Sequence, residues 1–440
     1  MRVLNYIFYF IFFVYTIIGC KSFDKLNLSA SIENDVNEIF DSLVQIRRDI
    51  HRHPEIAGQE LRTSKIIAEY LSDLGLEVKT GIAGNGVVGI LRGNDQGANI
   101  AWRADMDALP NNLTDDVPFK SSYPGIQHGC GHDIHVAIGL GIANVLARHK
   151  EVIKGNIYFI FQPEEETFQG AKEMLADPLF SKLDIDEIYA LHVTNFPVGQ
   201  IMVKPNEVYA YQKRVQLTFD DKVSKQGVTE LYNTIRNGLQ RIKQGANPWE
   251  ITKAFDTIDG LSNPKNIFSD YLFMTEGFSV EQVNDQLHLK AYLYETDRSK
   301  LPSILPSIEH VISNSVFKDN FISASFIQGN PTIQNDNLLS NEVFKILNGA
   351  HGEASAFIGY GQIPYFNDDF SYFQQKIPGV YFLLGASNLE KGLIAMNHAP
   401  NFRVDEQCIS IGVQAFSTLL LSRVGSTIEV TEREIQSNNY

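Results

Sequence analysis

The chain has 440 residues, with 37 Lys or Arg against 52 Asp or Glu and a formal charge of -15. That sign excludes nucleic acid and anionic membrane surfaces as electrostatic partners. The length exceeds that at which one core stops growing, so two domains are expected, and three cysteines, at 20, 130 and 408, cannot build a disulfide framework.

At the N-terminus, Arg2 precedes an apolar run from Tyr6 to Ile18, followed by Gly19 and Cys20. A basic start, a short apolar core and a small residue describe a secretory signal, too short to span a bilayer comfortably as a permanent helix. The residues Ile17-Ile18-Gly19-Cys20 resemble a bacterial lipobox, which makes Cys20 the expected lipidation site and residues 1–20 a lipoprotein-type signal. The expected localisation is the cell envelope of a bacterium, with a lipid anchor in a membrane. Residues 21–32 read as a polar tether.

From residue 33 to 75 the pattern is helical, with Ile39, Leu43, Ile46 and Ile50 on one face. His51 and His53 sit among arginines and acids just before Pro54, and are read as structural rather than as ligands. Residues 85–91 (NGVVGIL) and 99–102 (NIAW) read as strands, the second running into Asp105 and Asp107. These two alternate at strand spacing and share a face where α/β enzymes place chemistry.

The stretch 127–135 (QHGCGHDIH) follows, in which Cys130 and His132 are flanked by Gly129 and Gly131. A thiolate and an imidazole converging on one point need small neighbours, and the apolar run from Ile134 to Val145 reads as a helix that fixes the loop. A buried-strand run, 155–161 (GNIYFIF), leads to Glu164, Glu165 and Glu166. Three adjacent carboxylates repel one another unless solvent or a cation neutralises them, and beside a metal loop the cation is expected. Another strand, 186–193 (DEIYALHV), carries His192 near its end.

Residues 209–323 change character: a strand at 212–219, a helix at 229–243, strands near 250–256, 271–276 and 286–293, then a helix at 303–316. This β-α-β-β-α order fits a small inserted α+β domain with helices on one face. Residues 324–428 return to α/β texture, with a helix at 337–347, a buried strand in IPGVYFLLGAS, His398 in a loop and a helix at 406–421 in which Cys408 packs as an apolar residue. The expected organisation is therefore one α/β domain with a central mixed sheet, made of 33–208 and 324–428 and interrupted by 209–323, with a polar tail at 429–440.

The blocks HRHPEIAGQE, RADMDALP, HGCGHDIH, FQPEEE, ALHVTNFPVGQI, NDDFSYF and NHAPNFRVDE, in that order, resemble the M20 metallopeptidases. The resemblance is to their amidohydrolase branch, which includes N-acyl-amino-acid aminoacylases, hippurate hydrolases and auxin-conjugate hydrolases. It implies that Cys130, His132, Glu166, His192 and His398 hold two divalent metal ions, that Glu165 is the general base, and that Asp107 is a carboxylate orienting a ligand. Zinc, manganese, cobalt or nickel would suit this donor set. It also implies hydrolysis of a small N-acyl amino acid or related amide, with a catalytically weak metal-site binding protein or a dipeptide exopeptidase as the alternatives, and that the inserted unit is a ferredoxin-like lid through which a homodimer can form. In the family a Gly-Lys-Gly-x-His segment follows the lid's first strand, and its histidine helps hold the substrate carbonyl across the dimer. Here the stretch reads FDDKVSKQGV and has no histidine.

Overall fold

The structure is a computed structural model that describes residues 28–111, 115–351 and 356–424. The N-terminal signal with Cys20, residues 21–27 of the expected tether and the polar tail lie outside the described residues. Helix α1 spans 28–52, so the chain is already helical before residue 33. Ile32 is fully buried and starts the stripe Ile32, Val36, Ile39, Leu43 that packs on the main core; the polar neighbours of Ile32 concealed the beginning of that face.

The remaining elements of the first part are α2 (Leu61–Asp73), β1 (Glu77–Ile82), β2 (Gly86–Arg92), β3 (Asp95–Asp105), α3 (His132–Arg148), β4 (Lys154–Gln162), α4 (Gly170–Ala176), β5 (Glu187–Pro197), β6 (Ile201–Val203) and β7 (Asn206–Glu207). The inserted unit holds β8 (Tyr211–Asp220), α5 (Lys225–Leu239), β9 (Leu272–Val283), β10 (Gln286–Glu295), α6 (Leu301–Ser313) and β11 (Phe321–Gln328). The chain then returns through β12 (Gln334–Asn335), α7 (Asn337–His351), β13 (Ala356–Ile358), α8 (Phe370–Gln374), β14 (Gly379–Ser387) and α9 (Gln407–Val424).

The expected mixed sheet is present, eight strands in the order β1-β2-β4-β3-β5-β14-β6-β13. Its centre is parallel, with β4, β3, β5 and β14 side by side. Such strands are buried on both faces, which is why they read as continuous apolar runs. One face packs against α1, α2, α3, α7 and α9, and the other against α4 and α8. The carboxyl ends of β3, β4 and β5 therefore open at one edge of the sheet, and every ligand candidate sits there or in a loop that returns to it.

The inserted unit forms a separate four-stranded antiparallel sheet, β11-β8-β10-β9. Val215, Leu217 and Phe219 of β8 face α5 and α6 in a third apolar core, so the alternate residues Gln212, Arg214 and Gln216 occupy the opposite face. Two expectations are corrected here. The strand expected near 250–256 is a short 3₁₀ helix, Ile251–Phe255, whose Ala254 and Phe255 pack against the larger domain instead of pairing with a strand. The unit also runs beyond 323, because β11 pairs with β8 as far as Gln328 opposite Arg214. Strands β7 and β12 pair with each other and hold the two chain crossings side by side.

A buried ion pair fastens α9 to the sheet. Arg423 Nε donates to Glu187 Oε2 at 3.0 Å and Nη2 to Oε1 at 2.6 Å, while Tyr189 Oη also donates to Oε2 at 2.6 Å. Removing only the cation leaves Glu187, 1% exposed, charged in an apolar layer. Arg423→Met should therefore destabilise the protein by about 3 kcal/mol in equilibrium denaturation; a loss under about 1 kcal/mol would contradict this role for the pair.

Candidate metal centre

The loop before α3 depends on Gly131. Its φ of +104° lies in the left-handed region, and a Cβ there would sit 2.4 Å from Val193 Cγ2. Only glycine lets the chain turn so tightly against β5, and the turn sets Cys130 and His132 on the same side of the sheet edge.

Ligand atoms of Cys130, His132 and His192 lie within 4.8 Å of one another, as do those of Cys130, Glu166 and His398, and those of His132, Glu165 and Glu166. These sets share members, so all five residues expected as metal ligands form one continuous cluster with Glu165. Cys130 Sγ is 3.3 Å from His192 Nε2 and 3.2 Å from His398 Nε2, which is itself 3.2 Å from Glu166 Oε1.

The orientation of each imidazole is fixed from behind. His132 Nδ1 donates to the Asp107 carbonyl at 2.8 Å, with Asp107 Oδ1 at 3.2 Å. Asp107 Oδ2 accepts from the backbone N–H of Glu166 at 3.0 Å, so one carboxylate aligns two of the expected ligands. His192 Nδ1 donates to the Val193 carbonyl at 2.7 Å, which leaves Nε2 as the lone pair facing Cys130. Asn397 donates from Nδ2 to the carbonyls of Cys130 (2.8 Å) and Val193 (3.1 Å), tying the His398 loop to both.

A cation fits this donor set. His132 Nε2 is buried with no hydrogen-bond partner among the described residues, 3.9 Å from both Glu165 Oε2 and Glu166 Oε1. Burial alone would discharge His132, but Asp105, Asp107 and Glu166 outweigh it and its pKa is pushed up to about 10. The carboxylates thus create a potential that holds positive charge at that point, where a metal competes with a proton. His192, held well below its ordinary pKa by burial and by His135, is a neutral ligand-competent imidazole. Burial, followed by Glu166 and Glu165, pushes the Cys130 thiol well up, and burial with Asp368 and Glu166 does the same to Glu165. A divalent charge among them would pull both back down.

Other acidic groups nearby have different work. Glu164, expected with its neighbours at the cation, turns away at φ +57° and places its carboxyl against Gly58. His51 and His53, left out as ligands, pair instead with Asp133 and Asp115 and with Asp49. Asp105 shares with Asp107 the strand end where chemistry is expected, whereas His135 has no role in the sequence reading. His135 Nδ1 donates to Asp105 Oδ1 at 2.5 Å and its Nε2 accepts from the Val193 N–H at 3.0 Å, so neither nitrogen is free for a metal. The position of His135 three residues after His132 on one helix face was the available signal. Asp368 and Asp369 are likewise committed to Arg103.

The cluster floors a cavity of about 540 Å³. Phe168, Tyr209, Ile251, Phe255, Tyr365 and Phe366 form its apolar wall, and Gln212, Gln328 and Asn330 come from or beside the inserted sheet. No Lys or Arg lines it among the described residues. Glu164, Phe168, Tyr365 and His398 all have positive φ without being glycine. Such strain is held in place only where surrounding structure over-determines it, and it gathers at functional sites.

If Cys130 is a ligand, Cys130→Ala should lower bound metal and abolish hydrolysis while the protein stays folded. Metal stoichiometry read beside circular dichroism decides this, and an unchanged metal content would remove Cys130 from the set.

Residues 101–422 match the family described as Peptidase family M20/M25/M40. The chain is 32% identical to thermostable carboxypeptidase 2 of Saccharolobus solfataricus over 417 residues, 90% of this chain and 99% of the relative. It is 28% identical to the N-acetylcysteine deacetylase of Bacillus subtilis, over 86% of this chain and 95% of the relative. The crystal structure of the Bacillus subtilis YXEP protein, titled a dinuclear metal binding peptidase of the M20 family, superposes with a TM-score of 0.69 at 24% identity, covering 89% of this chain and 99% of that one. The α/β fold with its large mixed sheet is the fold of that structure. The chain belongs to peptidase family M20/M25/M40 and is an enzyme, a metal-dependent hydrolase of that family.

Proposed function

We propose that the enzyme cleaves the amide bond of N-acyl amino acids or related small amides at two divalent metal ions held by Cys130, His132, Glu166, His192 and His398. The observation that carries this reading is the placement of Glu165. It is 5% exposed, its Oε2 lies 3.9 Å from the unpartnered His132 Nε2, and it lines the cavity together with Cys130, Glu166, His192 and His398. When bound, the two cations would polarise the amide carbonyl and acidify a water. Glu165 takes the proton from the attacking water and returns it to the leaving amine. Asp107 holds His132 and Glu166 in register, and the apolar wall excludes solvent and accommodates the acyl group. Glu165→Gln should retain metal and lose at least about 10²-fold in kcat; equal activity would assign the base elsewhere.

The similarity to a carboxypeptidase supports a second reading, in which the substrate is a short peptide cleaved at its C-terminal residue. A panel of acyl amino acids and dipeptides, assayed with added Mn²⁺ or Zn²⁺, separates the two.

The inserted unit acts in this reading as the ferredoxin-like lid, through which a homodimer can form. Its first strand is followed by a turn and Ser224, whose Oγ caps α5 by accepting from the Gly227 N–H at 3.1 Å; no histidine is present there. His288 is held by Thr218 Oγ1 at 3.1 Å, and His310 lies on α6 beside Asn314. A donor that stabilises the developing oxyanion is typically worth about 10²-fold to 10³-fold in rate. Turnover of simple N-acetyl or N-benzoyl amino acids should therefore be weaker by about that factor than in a relative that has the histidine, at matched metal loading. Equal kcat/KM would show that another group replaces it.

Residues 1–20 and Cys20 support a lipid-anchored enzyme of the bacterial envelope. Among the described residues no helix is long and apolar enough to cross a membrane. Cys20→Ala should release the protein from membranes or stall its processing, and a variant that still fractionates wholly with membranes would exclude the anchor.

A further inference from the structure

We propose that the chain carries an anion-binding site, separate from the metal centre, where the inserted unit joins the α/β domain, and that Lys213, Arg298 and Lys376 take a phosphate-type oxyanion there. The inference goes beyond the proposed function, because nothing in it depends on which amide is cleaved.

A cavity of about 930 Å³ opens where the two chain crossings run side by side. Lys213 of β8 and Arg298, just before α6, reach it from the inserted unit, while Lys376, after α8, reaches it from the α/β domain. Among the described residues none of these three side chains forms an ion pair or a hydrogen bond, although acids outnumber bases in the chain by 52 to 37. The nearby carboxylates are engaged elsewhere. Asp336, the acid in the cavity lining, accepts at Oδ1 from the Leu339 N–H at 2.9 Å and so caps α7. Tyr211, also in the lining, holds Glu207 through its hydroxyl at 2.6 Å, and Asp297 is taken by Ser299 and Lys300.

Lys213 carries most of the argument. Its Nζ lies against the second crossing, where a Cβ on Gly329 would be 3.4 Å away. The side chain is half-buried, and burial lowers its pKa with no carboxylate to raise it again. A desolvated ammonium without a counter-charge is unfavourable, and an anion beside it removes that cost. Arg298 and Lys376 are exposed and add charge from the two units, and the positive end of α7, which begins at Asn337 on the cavity wall, adds to the same field. Cations converging from different elements suit a phosphate, with its three terminal oxygens and charge near -2, better than a planar carboxylate. Thr332, Gln334 and Gln375 give the remaining wall a polar character suited to the body of an organic phosphate. An anion held there ties the inserted unit to the α/β domain. It also stands behind Asn330, which lines both this cavity and the active one and whose Oδ1 accepts from Tyr372 Oη at 3.2 Å.

Calorimetry with inorganic phosphate and with glycerol 3-phosphate, on the metal-loaded full chain at constant ionic strength, tests the site. Lys213→Gln should weaken one binding event by about 10-fold to 100-fold, as expected for loss of a hydrogen bond to a charged group. Lys376→Gln, at an exposed position, should weaken the same event by about 3-fold. Lys213→Arg should retain it, which separates loss of charge from loss of fold. Tighter binding of glycerol 3-phosphate would identify the occupant as an organic phosphate, and equal binding would identify it as the free ion; either result supports the site. The proposal is overturned if neither probe binds, or if no binding event responds to Lys213→Gln, since a phosphate on the metals would be indifferent to that lysine. It is also overturned if Lys213 matters and Lys376 does not, because the anion would then not bridge the two units.

Discussion

The active edge of the sheet depends on the buried guanidinium of Arg103. Its Nε donates to Gln162 Oε1 at 2.8 Å, Nη1 to Asp105 Oδ2 at 2.6 Å, and Nη2 to Asp368 Oδ1 and Asp369 Oδ1, each at 3.0 Å. One side chain thereby joins the ends of β3 and β4 to the start of α8, and Tyr381 of β14 adds a hydrogen bond to Asp368 at 2.8 Å. The connection continues toward the metal centre, since Asp105 holds His135 and His135 holds the backbone of β5 just after His192. A cation buried this deeply stabilises little by itself, because its desolvation offsets most of the attraction. Its role is geometric: it brings several strand ends to one register, and the ligands follow.

The two halves of the cleft are built by different physics. On the sheet side, positions are fixed by buried hydrogen bonds to backbone carbonyls and carboxylates, which tolerate little change in residue type. On the side of the inserted unit, the contacts are amides and rings, and the backbone pairing of the sheet face that carries Gln212 and Gln328 is complete without them. Side chains there can change without unfolding anything.

That difference also decides what the sequence could disclose. Cys130, His132, Glu166, His192 and His398 fall in short blocks at strand ends or return loops, where residue type and spacing carry the chemistry, and the structure brings them into one cluster. The central strands were legible because burial on both faces makes them apolar throughout. By contrast β1, an edge strand exposed along most of its length, has no alternation to read. Residues 251–255 carry the apolar residues of a strand, but those face a neighbouring domain that only the tertiary fold supplies. Arg103 and the adjacent Asp368 and Asp369 fall in the blocks RADMDALP and NDDFSYF, but they meet across 265 residues of sequence and neither block by itself shows that it pairs with the other.

The electrostatics of this edge gives the metals a structural as well as a chemical part. Asp105, Asp107, Glu165, Glu166, Asp368 and Asp369 converge with the Cys130 thiol on a region whose fully buried permanent cation is Arg103. The same groups favour protons at this edge: Asp105, Asp107 and Glu166 push the His132 pKa up to about 10 against its burial, and burial together with the neighbouring Asp368 raises that of Asp369 to about 8 against the pull of Arg103. Each such proton is a charge that a divalent ion can replace at shorter range and with better-directed bonds. Ligand binding to the folded state alone shifts the folding equilibrium toward it. The same excess of carboxylates that would draw a divalent ion therefore couples metal occupancy to the stability of the α/β domain.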